Sequence, residues 1–367
     1  MRSIAFLLVL LPCLFACQQA PEEVQTLATN VVLQASVPRP TDPEPPLPKA
    51  SDIVVRSTDG GQTWQDISAG LPMDFRAWCV FASGKDVFLG YEEGLYRATA
   101  APAAAPKWQK EFFMGEPILG MFPGQFGPYA RNFERGFFQK IPGTDIWTPI
   151  HSDLKNERVR AILETPDGAT FVGCDNGIFK SADGGKSWKQ VFEGSMVTSF
   201  TESGGTLVGG AFRGVLRSTD GGDHWEWAMK TQENTSIRKL AFVDGRFVAL
   251  TDGEFPRKKE ANDDLINHLY ASADGGKTWQ NMDENLLPLR YIYDLDAPKP
   301  PTWYIHDIAQ VGKYLLCSLD LGVFRSADGG KTWELMLATP GKKLVELSAS
   351  GQVIYARLGE GGGGGGC

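Results

Sequence analysis

Serine, aspartate, a glycine pair and tryptophan recur in one frame: STDGGQTW at 57–64, SADGGKSW at 181–188, STDGGDHW at 218–225, and SADGGKTW at both 272–279 and 326–333. Carboxylate and hydroxyl oxygens beside paired glycines can ligate a cation, or they can accept hydrogen bonds from the amides of a tight turn whose glycines enter positive φ. Each copy follows an alternating strand such as Gly177-Ile178-Phe179-Lys180 and leads into a short strand starting at the tryptophan. The motif therefore reads as a hairpin turn. In that reading Asp59, Asp183, Asp220, Asp274 and Asp328 are turn acceptors, and Trp64, Trp188, Trp225, Trp279 and Trp333 pack each turn onto its own sheet. Other chemistry is sparse. His151, His224, His268 and His306 show no ligand spacing, and no nucleophile elbow is present, so neither a metal nor a cofactor is expected. What remains is carboxylate-based glycoside hydrolysis, for which isolated segments such as Tyr291-Ile292-Tyr293-Asp294 and Tyr304-Ile305-His306-Asp307 are the available material.

The elements that must carry these turns follow from their period. Two degenerate copies end at Trp108 and Trp147, giving seven, with tryptophan spacings of 44, 39, 41, 37, 54 and 54 residues. A repeat near that length belongs to propeller blades. The expected fold is all-β, a seven-bladed β-propeller over residues 51–358. The chain enters at Asp52-Ile53-Val54-Val55-Arg56, directly before the first turn, so blade one starts with its third and fourth strands. Strand patterns at 343–347 and 352–357 have no turn motif behind them and supply the missing two, a two-plus-two closure that removes open edges. These repeats resemble the Asp-box, or bacterial neuraminidase repeat, family, in which the box lies on the outer rim with a structural role. Sialidases of that kind have six blades and an arginine triad, and the related endoglucanases pair two rings. A single seven-bladed ring is more similar to photosystem II assembly-factor propellers and, more loosely, to the sortilin luminal propeller. That resemblance implies a binding module rather than an enzyme, with a glycan-acting hydrolase as the alternative.

Superposing the first strand of each blade aligns Arg76, Arg160, Arg238 and His306 at one position, with Thr198 in blade five. First strands line the axis, so this position sits at the channel mouth and concentrates positive charge. Two readings are open: a site for an anionic ligand or acidic partner segment, or arginines each paired with a loop carboxylate such as Asp74 or Glu157. Insertions at 254–267 and 287–303 open onto the same face. Cys79, Cys174 and Cys317 fall in strand patterns and read as free buried thiols.

The chain carries 36 Lys+Arg against 44 Asp+Glu, a formal charge of −8, which gives no footprint for nucleic acid. Arg2 and the apolar run to Leu11 read as a secretory signal too short to span a bilayer. Leu14-Phe15-Ala16-Cys17 resembles a bacterial lipobox, which implies removal of residues 1–16, lipidation of Cys17 and, with Gln18 following, the outer membrane, on its periplasmic side or at the surface. Residues 17–50 then form a tether whose six prolines between 37 and 49 favour an extended spacer. Residues 359–367 form a glycine-rich tail ending in Cys367. The expected partners are a protein or glycan of the envelope and, through the anchor, the membrane.

Overall fold

The computed structural model describes residues 50–360 apart from 100–105, 112–116, 133–134, 151–153, 155–156, 232–234, 253–266, 284–285, 287–303 and 340–342. Of the chain's two compact units, Met1–Leu47 and Pro48–Cys367, only the second contains described residues. The signal segment, Cys17, the tether up to residue 49, nearly all of both insertions and the tail from 361 onward lie outside them.

Among the described residues, seven four-stranded antiparallel sheets account for every strand and there is no helix. In six blades the four strands follow chain order. In blade one the order is Gln65–Asp66, Val54–Ser57, Val353–Glu360, Lys343–Ser350, so two strands from each end of the ring build one sheet. Val54 pairs with Arg357 and Ser57 with Ile354, which fastens the closure by ladder hydrogen bonds. The last strand runs to Glu360, opposite Lys343, and so carries the ring slightly past the expected limit at 358. The first strands of successive blades contact one another all the way round, which identifies them as the lining of the axis.

Strand alternation explains where the core sits. Successive side chains point to opposite faces of a sheet, so each blade offers one apolar set to the preceding blade and one to the next. Leu315 and Cys317 join the cluster between blades six and seven, while Leu316 between them joins the cluster between blades seven and one. The buried residues form seven such clusters, one per junction. Phe88, Phe171 and Phe324 are among the largest fully buried side chains, and each contributes about 1.5–3 kcal/mol of transfer free energy. Cys79, Cys174 and Cys317 are buried in these junctions and form no disulfide, as expected; burial pushes the Cys174 thiol up to about 12, so it behaves as a small hydrophobe.

Candidate functional site

The box turns close on themselves. In the first, Ser57 Oγ donates to Asp59 Oδ1 at 2.8 Å and accepts from the Gly61 amide at 2.9 Å. Asp59 also accepts from the Thr63 amide and hydroxyl at 2.9 and 2.6 Å, and Trp64 Nε1 donates to the Gly61 carbonyl at 2.9 Å. Gly60 and Gly61 have φ of 73° and 91°, the region only glycine enters without strain. The other four boxes repeat the serine–aspartate–amide arrangement, with His224 Nδ1 taking the hydroxyl's place against Asp220 at 2.7 Å. The Thr63 hydroxyl, then its amide, hold Asp59 at about 2, and the Ser187 hydroxyl and amide do the same for Asp183. With every oxygen occupied locally, the five aspartates are turn acceptors, and no group of three potential metal ligands occurs among the described residues.

The axial end is built differently. In blades three to seven the first strand carries a register shift at the same place, between Ile118 and Gly120, Val159 and Ala161, Val197 and Ser199, Ile237 and Lys239, and Ile305 and Asp307. The extra residue in each bulge is Leu119, Arg160, Thr198, Arg238 or His306. Bulges re-aim a side chain and recur beside binding sites. Arg160, Arg238 and His306 thus occupy one equivalent position, and Thr198 shares it.

Arg76 does not. In blade two Cys79 pairs with Gly90, and the Trp78 amide also donates to Gly90 O at 2.7 Å, so Trp78 takes the place of the bulged residue. Arg76 lies two residues earlier in an irregular segment, exposed. The run Phe75-Arg76-Ala77 mimics Val159-Arg160-Ala161 in type, but pairing with the second strand sets the register.

Each polar bulge residue has a partner. Arg160 Nε lies 2.6 Å from Asp175 Oδ1, on the hairpin opening at the same face, rather than on Glu157. Arg238 donates to the carbonyls of Ile305 and His306 in the next blade and stacks on Tyr304 at 5.1 Å. His306 Nε2 is 2.7 Å from Asp320 Oδ1, while its buried Nδ1 has no hydrogen-bond partner. Thr198 Oγ1 donates to the Ile237 carbonyl at 2.6 Å.

The contacts of Arg238 and Thr198 cross blade boundaries, and others at the axial end do the same. Ser318 Oγ donates to Val345 O at 2.7 Å, Arg357 Nη1 to Ala77 O at 2.9 Å and Arg131 Nη1 to Arg160 O at 3.3 Å. One residue further along the first strands, Lys239, Asp307 and Glu346 occupy equivalent places in blades six, seven and one. Lys239 Nζ pairs with Asp307, and Asp307 accepts the amides of Ile308 and Leu347 at 2.7 and 2.8 Å. Glu346 pairs with Arg357 at 3.0 Å, and burial raises its carboxyl above the usual range against the opposing pull of Arg357. Sequence reading missed this charged cluster, although the alignment that produced the arginine position would have shown it one residue later.

Residues 55–66 match the BNR/Asp-box repeat model. No curated protein sequence matches the chain. Among solved structures, the chain is similar to the extracellular domain of the one-component system BT4673 from B. thetaiotaomicron, with 15% identity and a TM-score of 0.55. That match covers 76% of this chain and spans only 38% of the other. YCF48 bound to D1 peptide is similar at 14% identity and TM-score 0.54 over 78% of this chain and 93% of that one. An ancestral GH74 enzyme is similar at 14% identity and TM-score 0.53, covering 83% of this chain and 45% of the enzyme. At such identities the likeness is one of fold alone.

Proposed function

We propose that the chain is an exported binding module that captures a partner at the channel-mouth face, with a protein segment favoured over a glycan. The observation that carries this is the bulge repeated in five blades, which presents one side chain per blade at the same axial end. Rigid scaffolds commonly present recognition residues at such irregular positions. A fold neighbour solved with a bound peptide supports the protein reading. Among the four candidates, Arg160 is the recognition donor at the bulge position, pairing with a half-exposed aspartate, and Arg76 is a second donor from the exposed segment before the first strand of blade two, outside the bulge frame. Arg238 holds the junction between blades six and seven through the Ile305 and His306 carbonyls, and the His306 ring pairs with Asp320 within blade seven. Capture from native membranes should therefore fall sharply for Arg76→Gln/Arg160→Gln with thermal unfolding unchanged, while Arg238→Gln should lower the unfolding temperature. Undiminished capture by the double variant would place recognition elsewhere. The exported setting rests on the lipobox-like segment, and loss of lipid labelling in Cys17→Ala is the check on it.

A hydrolase is the second reading, favoured by one observation. Glu346, its carboxyl raised by burial, shares the axial cluster with Asp307, and a carboxyl raised in this way suits a general acid. Against it, Asp307 is saturated by two amides and a lysine. Turnover of sialoside or glucan substrates that Glu346→Gln abolishes would make this the function.

A further inference from the structure

The box face carries an unlike junction between blades two and three, where both boxes are degenerate. At other junctions a cation from one blade closes on the next blade's turn. Arg217 donates to Gly275 O at 2.7 Å, Arg246 to Gly329 O at 2.8 Å and Arg325 to Gly60 O at 2.9 Å, while Lys180 reaches Asp223 at 2.8 Å. Arg97 holds the corresponding place in blade two, but the turn it faces, Ile141 to Ile146, has no box glycine pair. Its guanidinium meets the Asp145 side chain instead, at 2.9 Å. A cavity of about 420 Å³ opens here, lined by Lys85, Arg97, Lys140, Phe126, Ile141 and Asp145 among others.

The cavity floor is built. Lys140 stands where intact blades have the box serine, and its side chain is 8% exposed. Its Nζ lies 2.7 Å from Glu111, itself 3% exposed, and Arg97 Nε contacts the same carboxylate at 2.6 Å. Trp147 Nε1 donates to Glu111 at 3.1 Å, and the Trp147 ring lies beneath Lys140 at 5.3 Å. Both cations are therefore fixed by one buried carboxylate, and Asp86 also lies 3.7 Å from Arg97. Above them sits Asp145, 77% exposed, 2.9 Å from Arg97 and 3.7 Å from Lys140. A carboxylate so exposed gains little from its ion pairs, because water competes for both partners. Lys85, also in the lining, is exposed and forms no ion pair among the described residues. Beside these charges Phe126, Ile141 and Ile146 are 64%, 37% and 57% exposed, three of the six large apolar side chains that reach solvent among the described residues. Clustered exposed apolar side chains mark interaction surfaces.

We propose that this cavity docks a protein segment in which a carboxylate is flanked by apolar side chains, the incoming carboxylate displacing Asp145 from Arg97 and Lys140 while its neighbours cover Phe126 and Ile141. The charge arrangement selects this occupant: one anion fits between the two fixed cations, whereas a polyanion would meet Asp86 and Asp145 in the wall and a net charge of −8 overall. The site lies on the face opposite the channel mouth and stands independently of the function proposed there.

Calorimetric titration with acetyl-Phe-Glu-Phe-amide, against the same peptide carrying Gln, tests it on the full chain. The Glu peptide should bind about tenfold more tightly than the Gln peptide, as charge-assisted hydrogen bonds to a fixed Arg–Lys pair require. Asp145→Asn should tighten the Glu peptide several-fold by vacating the cations, Lys85→Ala should weaken it, and Arg160→Gln should leave it unchanged. Equal binding of the two peptides, no binding to either protein, or indifference to Asp145→Asn would each overturn the proposal. Lys140 is left intact, because its loss would strand Glu111 in the junction.

Discussion

The serine–aspartate core of each rim turn and the axial end of the same blades are held by opposite kinds of contact, even though cations such as Arg217 and Arg325 also reach from one blade to the next blade's turn. A box turn satisfies itself within eight consecutive residues, with Ser181 bonded to Asp183 and Gly185, and Asp183 to Ser187. At the axis Asp307 is bonded to Leu347 and Lys239, and Arg357 to Ala77, each across a blade boundary. The rim makes each blade a competent unit, and the axis makes seven blades into one ring. Damage at the rim should stay local, whereas damage at the axis should be shared by neighbours.

The comparison can be broken most severely at the closure. Ending the chain at residue 342 removes Lys343–Ser350 and Val353–Glu360, exposes the ladder of Val54–Ser57 and takes away half of one sheet. The expected product is insoluble or lacks a cooperative melt, as scanning calorimetry would record; a normal transition would mean that the rim alone stabilises the ring.

Asp307→Ala is the next largest. It leaves two buried amides and Lys239 without their acceptor, and loss of one partner from a buried charge network costs on the order of 3–5 kcal/mol. Denaturant titration should show that loss, and a value below about 1 kcal/mol would erase the distinction between axis and rim.

Acid gives the smallest and most diagnostic effect. Asp59 and Asp183 are held at about 2 in the fold, below their ordinary value of 3.8. A carboxyl depressed on folding contributes stability that is complete above its unfolded value and is lost as pH falls through the folded one. The boxes should therefore weaken between pH 4 and 2, in a window set by the turns themselves. Asp183→Asn should flatten that part of the curve by a small amount, with fluorescence of the neighbouring tryptophan as the readout. An unchanged acid limb would show that the axial carboxylates govern acid sensitivity instead.

What could be seen in the sequence divides along the same line. The boxes were legible because donor, acceptor and permissive glycine lie within one short window, as with Ser57, Asp59 and Gly61. The blade number followed from tryptophan spacing, and the closure from two strand patterns left without a box. The shared frame of Arg160, Arg238 and His306 was legible from the aligned first strands, whereas the bulge at that position was not. Arg76 was misplaced because its register depends on Cys79 meeting Gly90 on another strand, and local residue types imitate the pattern. The cavity between blades two and three was invisible because its only signal was a motif's decay. Glu111 looks like any polar residue of an outer strand until Lys140 and Arg97 converge on it.

The two-plus-two sheet also has a topological meaning. Because Val54 lies opposite Arg357 at the same end of adjacent strands, both ends of the ring emerge side by side at one edge. The propeller is in effect a circle with a single nick, and the nick's position is arbitrary with respect to packing. Joining residues 50 and 360 by a short linker and reopening the backbone at the exposed Gly204-Gly205 turn would yield a permutant with the same seven junctions, its seam moved to blade five. Sequence order and ring order are separable here, and only the second is required by the physics of the fold.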